Sequence, residues 1–152
     1  MAELRHKWKA SRDPLLRGDD RKSPASPVPD ADRSLVRHIL YLGGKGRESP
    51  YLSFTEDEMV ARRFAGKDGK IYSTTVKKLK TNEVAHISRR ELVQLLRGKG
   101  KGRAAWQSAY EVMQARRYVE EHAEHLGDFS GFKEHSNNEI VELVEKVLDE
   151  GS

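Results

Sequence analysis

The chain has 152 residues, 36% of them hydrophobic and 34% charged, with a formal net charge of +4 and a pI near 9.3. That length suits one domain, and the lean apolar share leaves part of the chain outside the core. Without cysteine there are no disulfides or thiolate-metal sites, no apolar run reaches membrane-spanning length, and mild basicity favours anionic partners without implying a nucleic-acid binder.

Four of the five prolines (Pro14, Pro24, Pro27, Pro29) fall in the first thirty residues among Ser, Asp, Arg and Lys. Residues 1–32 therefore read as a tail or linker, with "LRHKWKA" able to hold a helical turn around Trp8. The N-terminus lacks the apolar core of a signal peptide. Folded structure is expected from residue 33 to 152. Leu35 to Gly44, "LVRHILYLGG", is rich in Val, Ile, Leu and Tyr, ends in a Gly pair and predicts a buried strand. "GKGRESP" reads as a loop and "YLSFT" (Tyr51 to Thr55) as a second strand. Thr55 and Glu58 have capping-box spacing for a helix through Met59, Val60, Arg63 and Phe64 that Gly66 stops.

Lys70 to Leu79 predicts a third strand and "EVAHI" a short fourth. Ser88 and Glu91 open a helix through Leu96. In Arg97 to Arg103, "RGKGKGR", four basic residues alternate with three glycines, which reads as a solvated connector or as a surface for phosphate-rich or acidic partners. Residues 104–126 allow either one long helix or a strand in "YEVMQARRYV" with a short helix from Glu120. A final helix carries Ile140, Leu143, Val144, Val147 and Leu148 on one stripe behind a Ser136-x-x-Glu139 cap.

Several chemistries find no footing. There is no Gly-x-Ser-x-Gly elbow, and the Gly-rich loops match neither the P-loop nor the dinucleotide fingerprint. "HAEH" sets His122 and His125 one turn apart, with His135 further on. No third ligand accompanies them, so no metal is expected. Aromatics do not interleave with the basic loop, which weakens a base-stacking RNA platform.

The segment around "VRHI" and "SPYLSFTEDEMVARRFA", followed by "GKIYSTTV" and "EVAHIS", resembles the bacterial ADP-ribosyltransferase toxins of the Arg-Ser-Glu class. That family carries an arginine on a first strand, an aromatic-x-Ser-x-Ser/Thr strand running into a helix with Ala and Phe, and a catalytic glutamate on a later strand. The resemblance implies an α+β fold with split antiparallel sheets around an NAD cleft and flanking helices. It implies mono-ADP-ribosyl transfer from NAD to a macromolecular acceptor, with release of nicotinamide. Arg37, Ser53 and Glu111 would be catalytic, with Glu139 the alternative carboxylate. Arg37, His38, Tyr51, Ser53, Thr55 and Phe64 would contact the dinucleotide. A guanidinium suits pyrophosphate oxygens, and a carboxylate faces the cation that develops on the ribose. Many relatives place Gln or Glu two residues before the catalytic glutamate to engage the acceptor, where Glu111 has Ala109. By analogy the chain would be a secreted or delivered effector domain acting in the target-cell cytoplasm, with a cognate immunity protein and no membrane association. An NAD glycohydrolase using the same site is one alternative. A non-enzymatic RNA- or ribosome-binding domain resting on Lys99, Lys101 and Arg103 is the other.

Overall fold

The computed structural model describes residues 8–20, 25–40 and 48–150. In chain order these form β1 (Leu15–Asp19), α1 (Leu35–Leu40), β2 (Tyr51–Thr55), α2 (Glu58–Ala65), β3 (Lys70–Thr74) and α3 (Val76–Thr81). Then follow β4 (Ala85–Ile87), α4 (Arg89–Leu95), α5 (Ala109–His122), β5 (Glu124–Asp128), α6 (Asn137–Val147) and β6 (Asp149–Glu150). The class is α+β. The strands make one six-stranded sheet in the order β4-β5-β2-β1-β3-β6, and every pairing is antiparallel.

The sheet is unevenly stitched. β2 and β5 pair over five residues from Tyr51–Asp128 to Thr55–Glu124, and β1 and β3 over five from Leu15–Thr74 to Asp19–Lys70. Between these halves the register holds a single pair, Leu16 with Thr55. Two apolar clusters cover the two faces. Leu15, Leu52, Phe54, Tyr72 and Phe129 pack with Leu79 of α3 and with Ile140, Val144 and Val147 of α6. Tyr51, Ile87 and Leu126 pack with Leu35, Val36 and Ile39 of α1, Leu92 of α4 and Val112, Ala115 and Val119 of α5.

The structure corrects the sequence reading in several places. Leu15–Asp19 falls within the stretch read as tail, yet it is an interior strand between β2 and β3, so the folded unit includes it. Gly18 is what admits it there. A Cβ on Gly18 would lie 1.8 Å from the Ala61 carbonyl oxygen, so only glycine lets α2 lie against this strand. Leu35–Leu40 is helix rather than strand. Ser34 Oγ accepts the Arg37 amide at 3.2 Å while Asp32 takes the Ser34 amide at 2.8 Å, which is N-terminal capping, and Leu35, Val36 and Ile39 share the buried side. The predicted continuation through Gly44 lies outside the described residues. The predicted third strand stops at Thr74, and Thr75 caps α3 by accepting from Lys78 at 3.0 Å.

Caps account for the remaining boundaries. Asp57, not Thr55, caps α2 through the Met59 amide. Thr55 Oγ1 instead takes the Asp57 amide at 3.0 Å and donates to the His122 carbonyl at 2.6 Å. The capping boxes at Ser88–Glu91 and Ser136–Glu139 both form. Residues 104–126 follow neither expectation in full. Ser108 caps a helix that runs to His122, Ala123 ends it with a left-handed backbone (φ 45°, ψ 51°), and β5 starts at Glu124. The basic loop is ordered: Gly100, at φ 81°, turns it so that the Lys101 amide meets the Leu95 carbonyl at 2.9 Å.

Candidate active site

A pocket of about 100 Å³ opens where the sheet halves join. It is lined by Leu16, Arg17 and Gly18 of β1, Ser53, Phe54 and Thr55 of β2, Val60 and Phe64 of α2, and Tyr118, His122 and Glu124. The uneven pairing makes it: with one register pair between β1 and β2, side chains from both strands face the same gap.

Three polar residues from three strands meet here. Arg17 Nη1 donates to the Ser53 carbonyl at 3.0 Å, and Nη2 pairs with Asp19 at 3.2 Å. Asp19 Oδ2 also takes the Ala25 amide at 2.8 Å, so the guanidinium is braced and its side chain is only 13% exposed. Opposite stands Glu124, 5% exposed. Burial pushes its pKa from 4.5 up to about 8, opposed by the Arg17 charge and by a hydrogen bond from the Ser53 side chain. Its Oε2 has no hydrogen-bond partner among the described residues. A buried carboxyl beside one cation and one hydroxyl, open to a pocket, is a group placed to receive positive charge.

Behind Ser53 sits His38, 2% exposed. Its Nε2 lies 2.7 Å from Ser53 Oγ and its Nδ1 2.6 Å from Ser49 Oγ. Burial, with Arg17 and Arg37 close by, lowers its pKa to about 3, so the ring is neutral. At the mouth, the His122 ring stacks on Tyr118 at 4.0 Å and approaches Phe64 at 5.7 Å. His122 Nδ1 lies 2.9 Å from the Tyr118 carbonyl. A carbonyl only accepts, so Nδ1 carries a proton and donates it there. Burial raises Tyr118 to about 12.

The residues singled out from sequence divide accordingly. Ser53, Thr55 and Phe64 line the pocket, and His38 supports Ser53 from behind. Arg37 belongs to a helix, not a strand, and its Nη1 donates to the Glu48 carbonyl at 2.6 Å. Tyr51 is turned away: its hydroxyl donates to the Arg33 carbonyl at 2.7 Å and accepts from Arg103 at 3.1 Å. Glu111 is in the first turn of α5, where its carboxylate accepts from Trp106 Nε1 at 3.0 Å. Glu139 is the reciprocal partner of the Ser136 cap, and the Ser136 hydrogen bonds lower its pKa.

Arg17 and Glu124 were legible as residues but not as a site. "LLRGD" is a short Leu-Leu-Arg-Gly run inside proline-rich sequence, and Glu124 follows a helix end that no glycine marks. The "HAEH" histidines part company: His125 turns to the other face, where Nε2 contacts Glu56 at 2.6 Å and Nδ1 contacts His86 at 2.9 Å. Burial lowers His86 and His125 to about 4 each. Among the described residues no group of three or more His, Asp or Glu could hold a metal ion, and no helix is long and apolar enough to cross a membrane. In the basic loop, Arg103 reaches inward to Asp128 at 2.5 Å. Comparison with protein-family models, curated proteins and solved structures returns no match.

Proposed function

We infer that this pocket splits NAD and transfers ADP-ribose to a macromolecule, with Arg17, Ser53 and Glu124 as the working set. The observation that carries the reading is the meeting of a guanidinium, a hydroxyl and a buried carboxyl from β1, β2 and β5 at one gap. That is the strand order in which the resembled toxin family carries its arginine, serine and glutamate. Arg17 takes the part first read onto Arg37, and Glu124 the part first read onto Glu111 or Glu139. The single-pair joint between the sheet halves supports the expected split around a cleft.

The chemistry follows from charge. Cleaving the bond to nicotinamide leaves an oxocarbenium-like ribose, and a carboxylate fixed beside it stabilises the transition state more than the ground state. Glu124 is held there by Ser53, and the cation forming next to it favours its ionised state. Arg17 supplies positive charge toward the pyrophosphate while its contact with the Ser53 carbonyl holds the serine strand. The pocket itself takes a ring-sized fragment, so the rest of the dinucleotide would lie across its open mouth, where Phe64 is 48% exposed. Two residues before Glu124 stands His122, where many relatives have Gln or Glu. This departure favours a second reading, hydrolysis of NAD by water at the same site.

Purified protein incubated with adenine-labelled NAD and a bacterial lysate separates the outcomes. Label retained on macromolecules, with nicotinamide released, supports transfer; nicotinamide release with free ADP-ribose supports hydrolysis. Glu124→Gln and Ser53→Ala should each lower the rate by about a hundredfold or more. Absence of nicotinamide release from the folded wild-type protein, with lysate present, overturns both readings. As a delivered effector, the domain should arrest growth when expressed in bacteria, and a cognate immunity protein would cover this mouth.

A further inference from the structure

Ser49, His38, Ser53 and Glu124 stand in a row, and the hydrogen-bonding capacity of each fixes the direction of the protons between them. The neutral His38 ring carries one proton. Ser49 Oγ already accepts the Tyr51 amide at 3.0 Å. With the ring proton on Nδ1, Ser49 Oγ would accept twice and its own proton would find no acceptor among the described residues. A buried donor left unmet is costly. With the proton on Nε2, Ser49 donates to Nδ1 across 2.6 Å and Nε2 donates to Ser53 Oγ across 2.7 Å. Ser53 and Glu124 are diagonal neighbours on one face of the β2–β5 pair and both line the pocket, so the Ser53 proton is left for the Glu124 carboxyl and every donor in the row is used.

We propose that Ser49, His38 and Ser53 form a one-way hydrogen-bond relay, polarised by the Tyr51 amide, that aims the Ser53 proton at Glu124 and favours its carboxylate form. His38 is thereby a positioning residue, acting on Glu124 through Ser53 without touching the reacting atoms. The relay belongs to the site assigned above and takes its catalytic meaning from that reading. It opposes the burial that keeps Glu124 protonated, and it does so beside the Arg17 charge, which also opposes it. The other titratable groups in range are Tyr118 and His122 of α5, with Arg63 of α2 behind Tyr118. Around His38 they are Arg17, Arg37 and the edge-on ring of Tyr51 at 5.4 Å.

Nuclear magnetic resonance on the ligand-free protein tests this without NAD, so a failure of the relay and a failure of the transferase reading are told apart. In the wild-type protein, nitrogen shifts of His38 should report a protonated Nε2 and a bare, hydrogen-bonded Nδ1. The opposite tautomer overturns the proposal. Titration of the carboxyl carbon of Glu124 should move upward by about half a pH unit in Ser49→Ala and in His38→Leu, a fraction of what losing a hydrogen bond to an ionised group would give, because Ser53 remains but is no longer aimed. An unmoved midpoint in a variant that keeps the wild-type spectral dispersion also overturns it. If both variants unfold, the wild-type tautomer decides.

Discussion

Replacing Glu124 by Gln should make the protein more stable, and increasingly so as the pH rises. The side chain is 5% exposed, and burial lifts its pKa from 4.5 to about 8. The folded state therefore holds this proton more tightly than the unfolded state. Below pH 4.5 both states are protonated and Glu124 costs nothing. Between 4.5 and about 8 the unfolded chain ionises first, and folding loses about 1.4 kcal/mol per pH unit, reaching roughly 4–5 kcal/mol above the folded pKa. Glutamine has the same shape and no charge, so subtracting the wild-type curve from the Glu124→Gln curve cancels every other titrating group. Urea unfolding at pH 4.5, 7 and 9 measures the difference. It should start near zero and grow to several kcal/mol. Parallel curves for the two proteins across that range would refute a buried, proton-retaining Glu124.

Gly18→Ala should lose about 3 kcal/mol or more in urea unfolding, because the new methyl meets a backbone oxygen of α2 that cannot step aside. Ser136→Ala removes the reciprocal cap of α6 and should cost about 1 kcal/mol by the same measurement. If Glu124 is the catalytic carboxylate, nicotinamide release should survive Glu111→Gln and Glu139→Gln within a few-fold and vanish in Glu124→Gln; the opposite order would reassign the carboxylate. If the proposed reaction needs Glu124 ionised, kcat/KM should climb with pH and be half-maximal near 8, rather than near the ordinary carboxylate value.

What could be read from sequence was what is encoded locally. "YLSFT" is β-branched and aromatic in its own right, and the Ser88 and Ser136 caps announce their helices within four residues. Ser53 emerged from such a segment. Arg17 could not, because five residues among prolines become a strand only through pairing with Lys70–Thr74, more than fifty positions away. "LVRHIL" misled because strand-favouring residue types fill a helix whose cap, Ser34, lies outside the apolar run. Glu124 was hidden by Ala123, which adopts a left-handed backbone that would ordinarily call for glycine. That Arg17 and Glu124 line the pocket while Arg37, Glu111 and Glu139 do not has one cause: long-range pairing sets the lining, and no local pattern carries it.

The interior position of β1 also bears on how this chain matures. Synthesis delivers that strand first, yet its hydrogen-bonding neighbours, β2 and β3, are made tens of residues later, and β5 must arrive before Glu124 can close the pocket. Contacts so distant along the chain delay closure of the sheet and slow folding. A nascent or threaded polypeptide that has not yet exposed Asp128 to its surroundings cannot have assembled the pocket, so any catalytic power stays latent until the segment from β1 through β5 is free.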